Sequence, residues 1–189
     1  MDKKVSLSTI IIVTTILGAT GLLIWSGSQR KNSLPATPVS QHDHSATPRV
    51  SAAPLEDMVN KPSPDFSLAD KDGKIYSLKN LAGKNIILFF NEGLMCYPAC
   101  WNQIAALAED EQLKNPDTVI LSVVVDPPGE WQTAIEKMPE LATATVVFDK
   151  NAAVSKNFGM LTTASSMHYG SLPGHSFVLI NKEGTIKHV

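Results

Sequence analysis

The sequence has only two cysteines among its 189 residues, and its lysines and arginines form no cluster. Together with a formal net charge of −2 at pH 7, this gives no reason to expect a nucleic-acid partner. No glycine-rich nucleotide loop or other cofactor motif is present, so no organic cofactor is expected. The length allows one ordinary domain with an appendage and excludes two full domains.

The longest hydrophobic run lies at the N-terminus, where residues 5–25 carry no charge. At a rise of about 1.5 Å per residue, a helix over this run crosses a hydrocarbon core about 30 Å thick. Lys3 and Lys4 precede it, and Trp25 stands where an interfacial aromatic is common. No A-x-A-like cleavage site follows. This favours an uncleaved membrane anchor over residues 1–25, with a cleaved signal peptide or a buried helix as the alternatives.

Residues 26–60 are rich in Ser, Pro, Ala and Thr and show no apolar period, which predicts a disordered, flexible linker. Its His42-Asp43-His44 motif is expected to be solvated, with weak metal binding as the alternative. Positive charges are nearly balanced on the two sides of the anchor. An N-terminal signal-anchor leaves the folded domain, residues 61–189, on the extracytoplasmic face of the cell membrane.

Short apolar runs alternate with helical patterns through residues 61–189. Polar–apolar alternation on both sides of Asp72-Gly73 predicts a β-hairpin, and the continuous apolar run of residues 86–90 predicts a strand buried on both faces. The remaining predicted elements are a helix over 98–108, a strand over 119–125, a helix over 131–141, a strand over 145–148, a helix over 152–158 and a hairpin of 176–180 with 185–189. This order predicts an α/β domain with a parallel central sheet and an antiparallel last hairpin.

The two cysteines, Cys96 and Cys100, follow the predicted buried strand and stand at the start of the next helix. At a helix N-terminus the macrodipole and the free N–H groups stabilise a thiolate and lower the pKa of the thiol. The thiolate is the form that attacks disulfides and peroxides and that binds soft metals. We therefore expect Cys96 and Cys100 to be a reactive pair.

The spacing of Cys96 and Cys100 is compatible with several roles for the pair. In a regular helix, Cβ atoms at i and i+4 lie about 5–6 Å apart, whereas a disulfide needs roughly 3.5–4.5 Å. If Pro98 is the first helical residue, Cys96 precedes the helix and is free to turn toward Cys100. A reversible disulfide and a metal held between two thiolates both fit this arrangement. A structural disulfide or a pair of buried thiols is the alternative.

Two histidines follow the cysteines in the C-terminal half. His175 directly precedes the predicted strand 176–180, and the loop before that strand is expected to face the start of the first helix. His175 is thus a candidate proton carrier or metal ligand beside the cysteines, unless it only hydrogen-bonds backbone. His168 is a weaker candidate. Trp101 either shields the site or belongs to the core.

Four segments carry a family resemblance: PDFSLADKDGKIYSL, IILFFNEGLMCYPACWNQIAAL, LSVVVDPP and GHSFVLINKEGTI. They resemble the redoxin family (alkyl hydroperoxide reductase and thiol-specific antioxidant proteins) of the thioredoxin-like superfamily, over roughly residues 61–189. The resemblance implies a thioredoxin-like fold: a central mixed sheet flanked by helices, an N-terminal β-hairpin and an active-site cysteine at the first strand–helix junction. The closing helix usual in the superfamily is expected to be missing, because the sequence ends at Val189, the last residue of the last predicted strand.

The chain departs from ordinary peroxiredoxins, which carry the pattern P-x-x-x-[TS]-x-x-C. Counted back from Cys96 the two marked positions hold Phe89 and Gly93, and counted back from Cys100 they hold Gly93 and Tyr97. Cys-x-x-x-Cys with a distal His is similar to the copper chaperones of cytochrome oxidase assembly. By that analogy Cys96, Cys100 and His175 would bind copper.

The sequence therefore predicts a membrane-anchored thiol–disulfide oxidoreductase or peroxiredoxin-like antioxidant protein. In this interpretation Cys96 attacks a thiol/disulfide partner protein or a hydroperoxide, Cys100 resolves the intermediate, and His175 assists them. The alternative is a Cu(I)-binding metallochaperone that uses Cys96, Cys100 and His175. A third hypothesis is a non-catalytic module with a structural disulfide.

Overall fold

A computed structural model describes residues 55–189, and the structural statements below concern that part of the chain. The predicted membrane anchor, residues 1–25, and the His42-Asp43-His44 motif lie outside it. No helix between Leu55 and Val189 is both long enough and apolar enough to cross a membrane.

The domain is built on one seven-stranded sheet with the spatial order β2-β1-β5-β4-β3-β6-β7. The strands are β1 Ser67–Asp70, β2 Ile75–Ser77, β3 Asn85–Phe90, β4 Thr118–Val124, β5 Val146–Phe148, β6 Ser176–Ile180 and β7 Ile186–His188. The three central strands β3, β4 and β5 are mutually parallel, as predicted. The hairpins β1–β2 and β6–β7 extend the sheet at its two edges, and β6 runs antiparallel to β3.

Three helices connect the strands: α1 Ala99–Glu109, α2 Pro128–Lys137 and α3 Ala153–Asn157. The predicted helix over 131–141 begins earlier and ends earlier than expected. It begins at Pro128, because a proline without an N–H fits the first helical turn. Pro139 starts a separate 3₁₀ turn, Pro139–Thr143, because proline is disfavoured in a helix interior.

The strand β3 is buried on both faces of the sheet, as its continuous apolar run predicts. Leu88 and Phe90 belong to one hydrophobic cluster, which also contains Phe158. Phe89 points to the other face, into a cluster with Trp101 of α1 and Trp131 of α2. Helices therefore flank the sheet on both sides, which is the architecture of the thioredoxin-like fold.

The segment before residue 61 also contacts the domain. Leu55 and Met58, which the sequence assigns to the linker, lie in a 3₁₀ turn, Leu55–Met58, and pack against the cluster around β3. Asn60 then donates a backbone hydrogen bond of 2.8 Å to the carbonyl of Ile186 in β7. Among the described residues, the packed region therefore starts at Leu55. Apolar side chains at 55 and 58 allow this contact within an otherwise polar stretch.

Candidate redox site

The first cysteine stands on a short 3₁₀ turn, Gly93–Cys96, which follows β3 and which we call the Cys96 turn. The backbone N–H of Gly93 donates to the side-chain oxygen of Asn91 at 2.9 Å. The backbone N–H of Leu94 donates to the carboxylate of Asp126 at 3.1 Å. These bonds fix the start of the turn against the ends of β3 and β4.

Glycine is required at position 93 for two reasons. Its φ of +56° lies in the left-handed region that side chains disfavour. A Cβ there would also overlap the carboxylate of Asp126. Burial raises the pKa of Asp126 above its usual range, and the hydrogen bond from Leu94 offsets this only in part.

The two cysteines form a disulfide, and their Cα atoms lie 5.3 Å apart. Cys96 ends the turn and is partly exposed, whereas Cys100 is the second residue of α1 and is only 3% exposed. Pro98 occupies the N-cap position, so α1 starts one residue later than the sequence predicts. The expectation that Cys96 precedes the helix is nevertheless confirmed, and this leaves its sulfur free to turn toward Cys100.

Trp101 closes one side of the site. Its indole N–H donates to the carbonyl of Gly93 at 3.2 Å, and its ring meets the exposed Tyr97 ring edge-on at 4.8 Å between centroids. Lys137 lies 4.3 Å above the Tyr97 ring, in cation–π range. Trp101 is therefore both a core residue and a wall of the site, so the two roles that the sequence left open are combined.

His175 lies beside the cysteine pair. One ligand atom from each of Cys96, Cys100 and His175 lies within 4.8 Å of the other two. The sheet register explains this, because Ser176 of β6 pairs with Phe90 at the end of β3. The residue before β6 must therefore lie next to the turn after β3. The Nε2 atom of His175 is buried and has no hydrogen-bond partner among residues 55–189.

His168 has a different partner, Glu92, which the sequence gave no reason to select. Glu92 is 1% exposed and accepts a hydrogen bond from the Nδ1 atom of His168 at 2.9 Å. It also accepts bonds from the backbone N–H groups of Met167 at 2.7 Å and His168 at 3.1 Å. Desolvation raises the pKa of Glu92, but these hydrogen bonds outweigh it and hold the pKa below the ordinary value.

Glu92 could not be found from sequence because its partners lie 74–76 residues further along the chain. The only local signal is its place directly after an apolar run and Asn91. A glutamate at this position predicts a solvated loop residue. Folding makes it a fully buried charge, which is a costly state unless the charge is paired.

The family is shown by comparison with known proteins. A family model described as "AhpC/TSA family" matches residues 59–189. The chain belongs to this family. It is 30% identical over 134 residues to "Putative peroxiredoxin bcp" of Haemophilus influenzae, covering 69% of this chain and 84% of that relative. The resemblance to redoxins drawn from the sequence is confirmed.

A second relative is the chloroplastic peroxiredoxin Q of Triticum aestivum, 26% identical over 132 residues, which covers 67% of this chain. The chain spans about 55% of the length of that relative. Among solved structures, AhpC of Enterococcus faecalis gives a TM-score of 0.57 at 18% identity, covering 69% of this chain and 78% of that one. The reduced 2-Cys peroxiredoxin of Plasmodium vivax gives a TM-score of 0.56 at 21% identity, covering 69% and 83%. These structural likenesses support the fold.

Proposed function

We propose that this protein is a thiol–disulfide oxidoreductase of the AhpC/TSA family in which Cys96 and Cys100 cycle between a disulfide and two thiols. The observation that carries the proposal is the Cys96–Cys100 disulfide with its unequal exposure. A partner reaches Cys96, which is partly exposed, whereas Cys100, buried at the start of α1, reacts only within the molecule. The N-terminus of α1 stabilises the thiolate that must form at this cysteine pair.

The chemistry balances without a cofactor. The Cys96 thiolate attacks a substrate disulfide, a mixed disulfide forms, and one substrate sulfur leaves as a thiolate that takes up a proton. Cys100, after loss of its proton, attacks the Cys96 sulfur, closes the Cys96–Cys100 bridge and releases the second substrate thiol. Two electrons pass from the protein to the substrate. A dithiol partner returns them by the reverse sequence.

A hydroperoxide is the second class of oxidant for the same pair. The Cys96 thiolate would attack the terminal oxygen, the O–O bond would break, and a Cys96 sulfenic acid would form while the alkoxide leaves and takes up a proton to give an alcohol. Cys100 would then close the bridge and release water. The peroxiredoxin Thr or Ser position holds Gly93, which has no hydroxyl to offer the peroxide. We therefore expect hydroperoxides to react more slowly than disulfides.

The proposal places the domain outside the cytoplasm, attached to the cell membrane by residues 1–25. The support is the uncharged N-terminal run, together with the persistence of disulfides in oxidising compartments. Membrane fractionation of cells that express the chain tests it. The full-length protein should remain in the membrane pellet at alkaline pH, and a chain without residues 1–25 should not. A soluble full-length protein would contradict the anchor.

The redox proposal is tested with single cysteine variants of the full-length chain, reduced and then exposed to oxidised glutathione. Cys100→Ser should accumulate a glutathione adduct on Cys96, because nothing resolves the mixed disulfide. Cys96→Ser should form little adduct, because Cys100 is buried. Mass spectrometry measures both. Equal adduct on the two variants, or no bridge in the wild type after oxidation, would overturn the proposal.

A Cu(I) carrier is the second candidate, and one observation favours it. Two sulfurs and one imidazole nitrogen lie within 4.8 Å of one another, and the Nε2 atom of His175 is buried without a partner among the described residues. After the bridge is reduced, the two thiolates and the imidazole are the ligand types that Cu(I) prefers. The residues present therefore fit the metal.

Titration of the reduced, metal-free protein with Cu(I) against a competing chelator tests this candidate. His175→Ala should lower the copper affinity by at least about tenfold, since even outer-shell changes cost that much at metal sites. The same variant should keep a dithiol that a disulfide can oxidise. Copper binding that is weak or independent of His175 would remove this candidate.

A further inference from the structure

Glu92 connects the two segments that carry the site. It directly precedes the Cys96 turn, and its carbonyl accepts the backbone N–H of Met95 at 3.2 Å. Its side chain reaches into the loop between the 3₁₀ turn Met160–Thr162 and β6, residues 163–175, which we call the His175 loop. Within the described part of the chain, the hydrogen-bond partners of its carboxylate lie in residues 166–168 of that loop.

The carboxylate is bound at both oxygens. Oε1 accepts the backbone N–H groups of Met167 at 2.7 Å and His168 at 3.1 Å, with the hydroxyl of Ser166 at 3.5 Å. Oε2 faces the Nδ1 atom of His168 at 2.9 Å. Hydrogen bonds to an ionised acceptor are roughly twice as strong as those between neutral groups. Two backbone donors and one ring donor therefore hold residues 166–168 firmly against Glu92.

Contacts within the His175 loop connect residues 166–168 to the C-terminal end of the loop. Within it, the Ser166 hydroxyl donates to the carbonyl of Leu172 at 3.0 Å. The N–H of Gly174 donates to the carbonyl of Met160 at 2.8 Å. A Cβ at Gly174 would overlap the hydroxyl of Thr163 and would lie 2.8 Å from the backbone nitrogen of Ser166, so Gly174 packs directly against the segment that Glu92 binds. A displacement of residues 166–168 would thus reach Gly174 and the next residue, His175.

We propose that Glu92 is the positioning residue of the site, which holds the Cys96 turn and the His175 loop together so that the His175 imidazole stays beside the two cysteines. Glu92 acts through His175 and touches no reacting atom itself. The inference rests on the proposed function only for its kinetic consequence. The geometric part, that Glu92 determines where His175 lies, stands independently.

The kinetic test is a double-mutant cycle in the full-length reduced chain: wild type, Glu92→Gln, His175→Ala and both together, with oxidised glutathione as the probe. Glu92→Gln is nearly isosteric but loses the charge. It should lower the rate constant of Cys96 by about tenfold, the lower end of what losing a hydrogen bond to a charged group costs. In the His175→Ala background it should have no further effect. Glu183→Gln, on the exposed β6–β7 turn, is the matched control and should leave the rate unchanged.

A purely stabilising role would give a different pattern. In that case Glu92→Gln would lower the rate by the same factor with and without His175, which would overturn the proposal. An unchanged rate in Glu92→Gln would also overturn it.

A spectroscopic readout separates this proposal from the proposed function. The imidazole resonances of His175 in ¹H–¹⁵N spectra should move in Glu92→Gln and stay in place in Glu183→Gln, whether or not the wild type reacts with a disulfide. His168→Ala keeps the buried carboxylate and its backbone donors. This variant should move the His175 resonances by a smaller amount. If Glu92→Gln does not fold, the His175 resonances of His168→Ala alone test the inference. Unchanged His175 resonances in the folded variants would overturn the inference.

Discussion

The backbone at Gly93 combines a φ of +56° with a neighbour that leaves no room for a side chain, the carboxylate of Asp126. Gly73, in the β1–β2 turn, has a φ of +80° with open space around it. Gly73→Ala is therefore a control for conformational strain alone, which costs on the order of 1 kcal/mol. Gly93→Ala adds the overlap and should cost at least about 1 kcal/mol more in free energy of unfolding, since overpacking costs about 1–3 kcal/mol. Urea denaturation measures both, and equal losses would contradict this account.

Glu92 should make stability depend on pH in acid. Its folded-state pKa lies below the ordinary value of 4.5, so the unfolded chain takes up the proton first as the pH falls. The stabilising effect of its ionised form is fully present above pH 4.5 and is lost as the pH falls through the folded pKa. The difference in unfolding free energy between wild type and Glu92→Gln should therefore shrink below pH 4.5.

Denaturation curves at several pH values check this. The exposed Glu183→Gln should show no such trend relative to the wild type. A wild-type advantage over Glu92→Gln that stays constant or grows in acid would show that the buried carboxylate is not stabilised in its charged form.

At the scale of elements, the site is a junction between the Cys96 turn and α1. Trp101, on the first turn of α1, donates its indole N–H to the carbonyl of Gly93 at 3.2 Å. Trp131 of α2 is equally buried, but its indole N–H has no hydrogen-bond partner within the described part of the chain. The two rings lie 6.3 Å apart between centroids in one cluster. They form a matched pair that differs in one hydrogen bond.

Trp101→Phe and Trp131→Phe should consequently differ in cost. Both lose similar ring area, but Trp101→Phe also removes the indole hydrogen bond to the Gly93 carbonyl. Trp101→Phe should lower the free energy of unfolding by about 1–2 kcal/mol more than Trp131→Phe. Urea denaturation of the two variants decides, and a larger loss in Trp131→Phe would show that packing outweighs the turn–helix bond.

The elements themselves follow well from sequence. The central strand β3 was predictable because a continuous apolar run suits burial on both faces, and Leu88 and Phe89 do lie in opposite clusters. Boundaries were less accurate, as at α2, where the prolines at 128 and 139 override the apolar period. The turn before β5 and the 3₁₀ segments carry no periodic signal.

For the whole molecule, the disulfide should contribute little to folding. It links residues only four apart, and closing so short a loop removes about 2 kcal/mol of chain entropy from the unfolded state. Two hydrophobic clusters, one on each face of the sheet, stabilise the domain independently of it. Reduction should therefore lower the free energy of unfolding by at most about 2 kcal/mol and leave the domain folded. A redox cycle needs both forms to be folded.

Near-UV circular dichroism and urea denaturation with and without a reductant test this expectation. A variant with both cysteines changed to serine serves as the control, because reductant should not affect it. Loss of near-UV signal on reduction at 25 °C would instead favour a structural disulfide, the third hypothesis drawn from the sequence.

The sequence by itself determined the order of strands and helices and the place of Cys96 and Cys100 at a strand–helix junction, while the family came from its resemblance to redoxins. These depend on local patterns: apolar period, turn residues and a proline beside the cysteines. His175 was predictable as a neighbour only through the expected topology, in which the residue before β6 meets the end of β3.

Only the tertiary structure decided how those residues are held. Glu92 meets Met167 and His168 across 75 and 76 residues of sequence, and Gly93 meets Asp126 across the ends of two parallel strands. No local pattern encodes such contacts, because their energy arises from burying a charge together with distant donors. The sequence indicates the candidate reactive residues, and the tertiary structure determines which residues hold them in place.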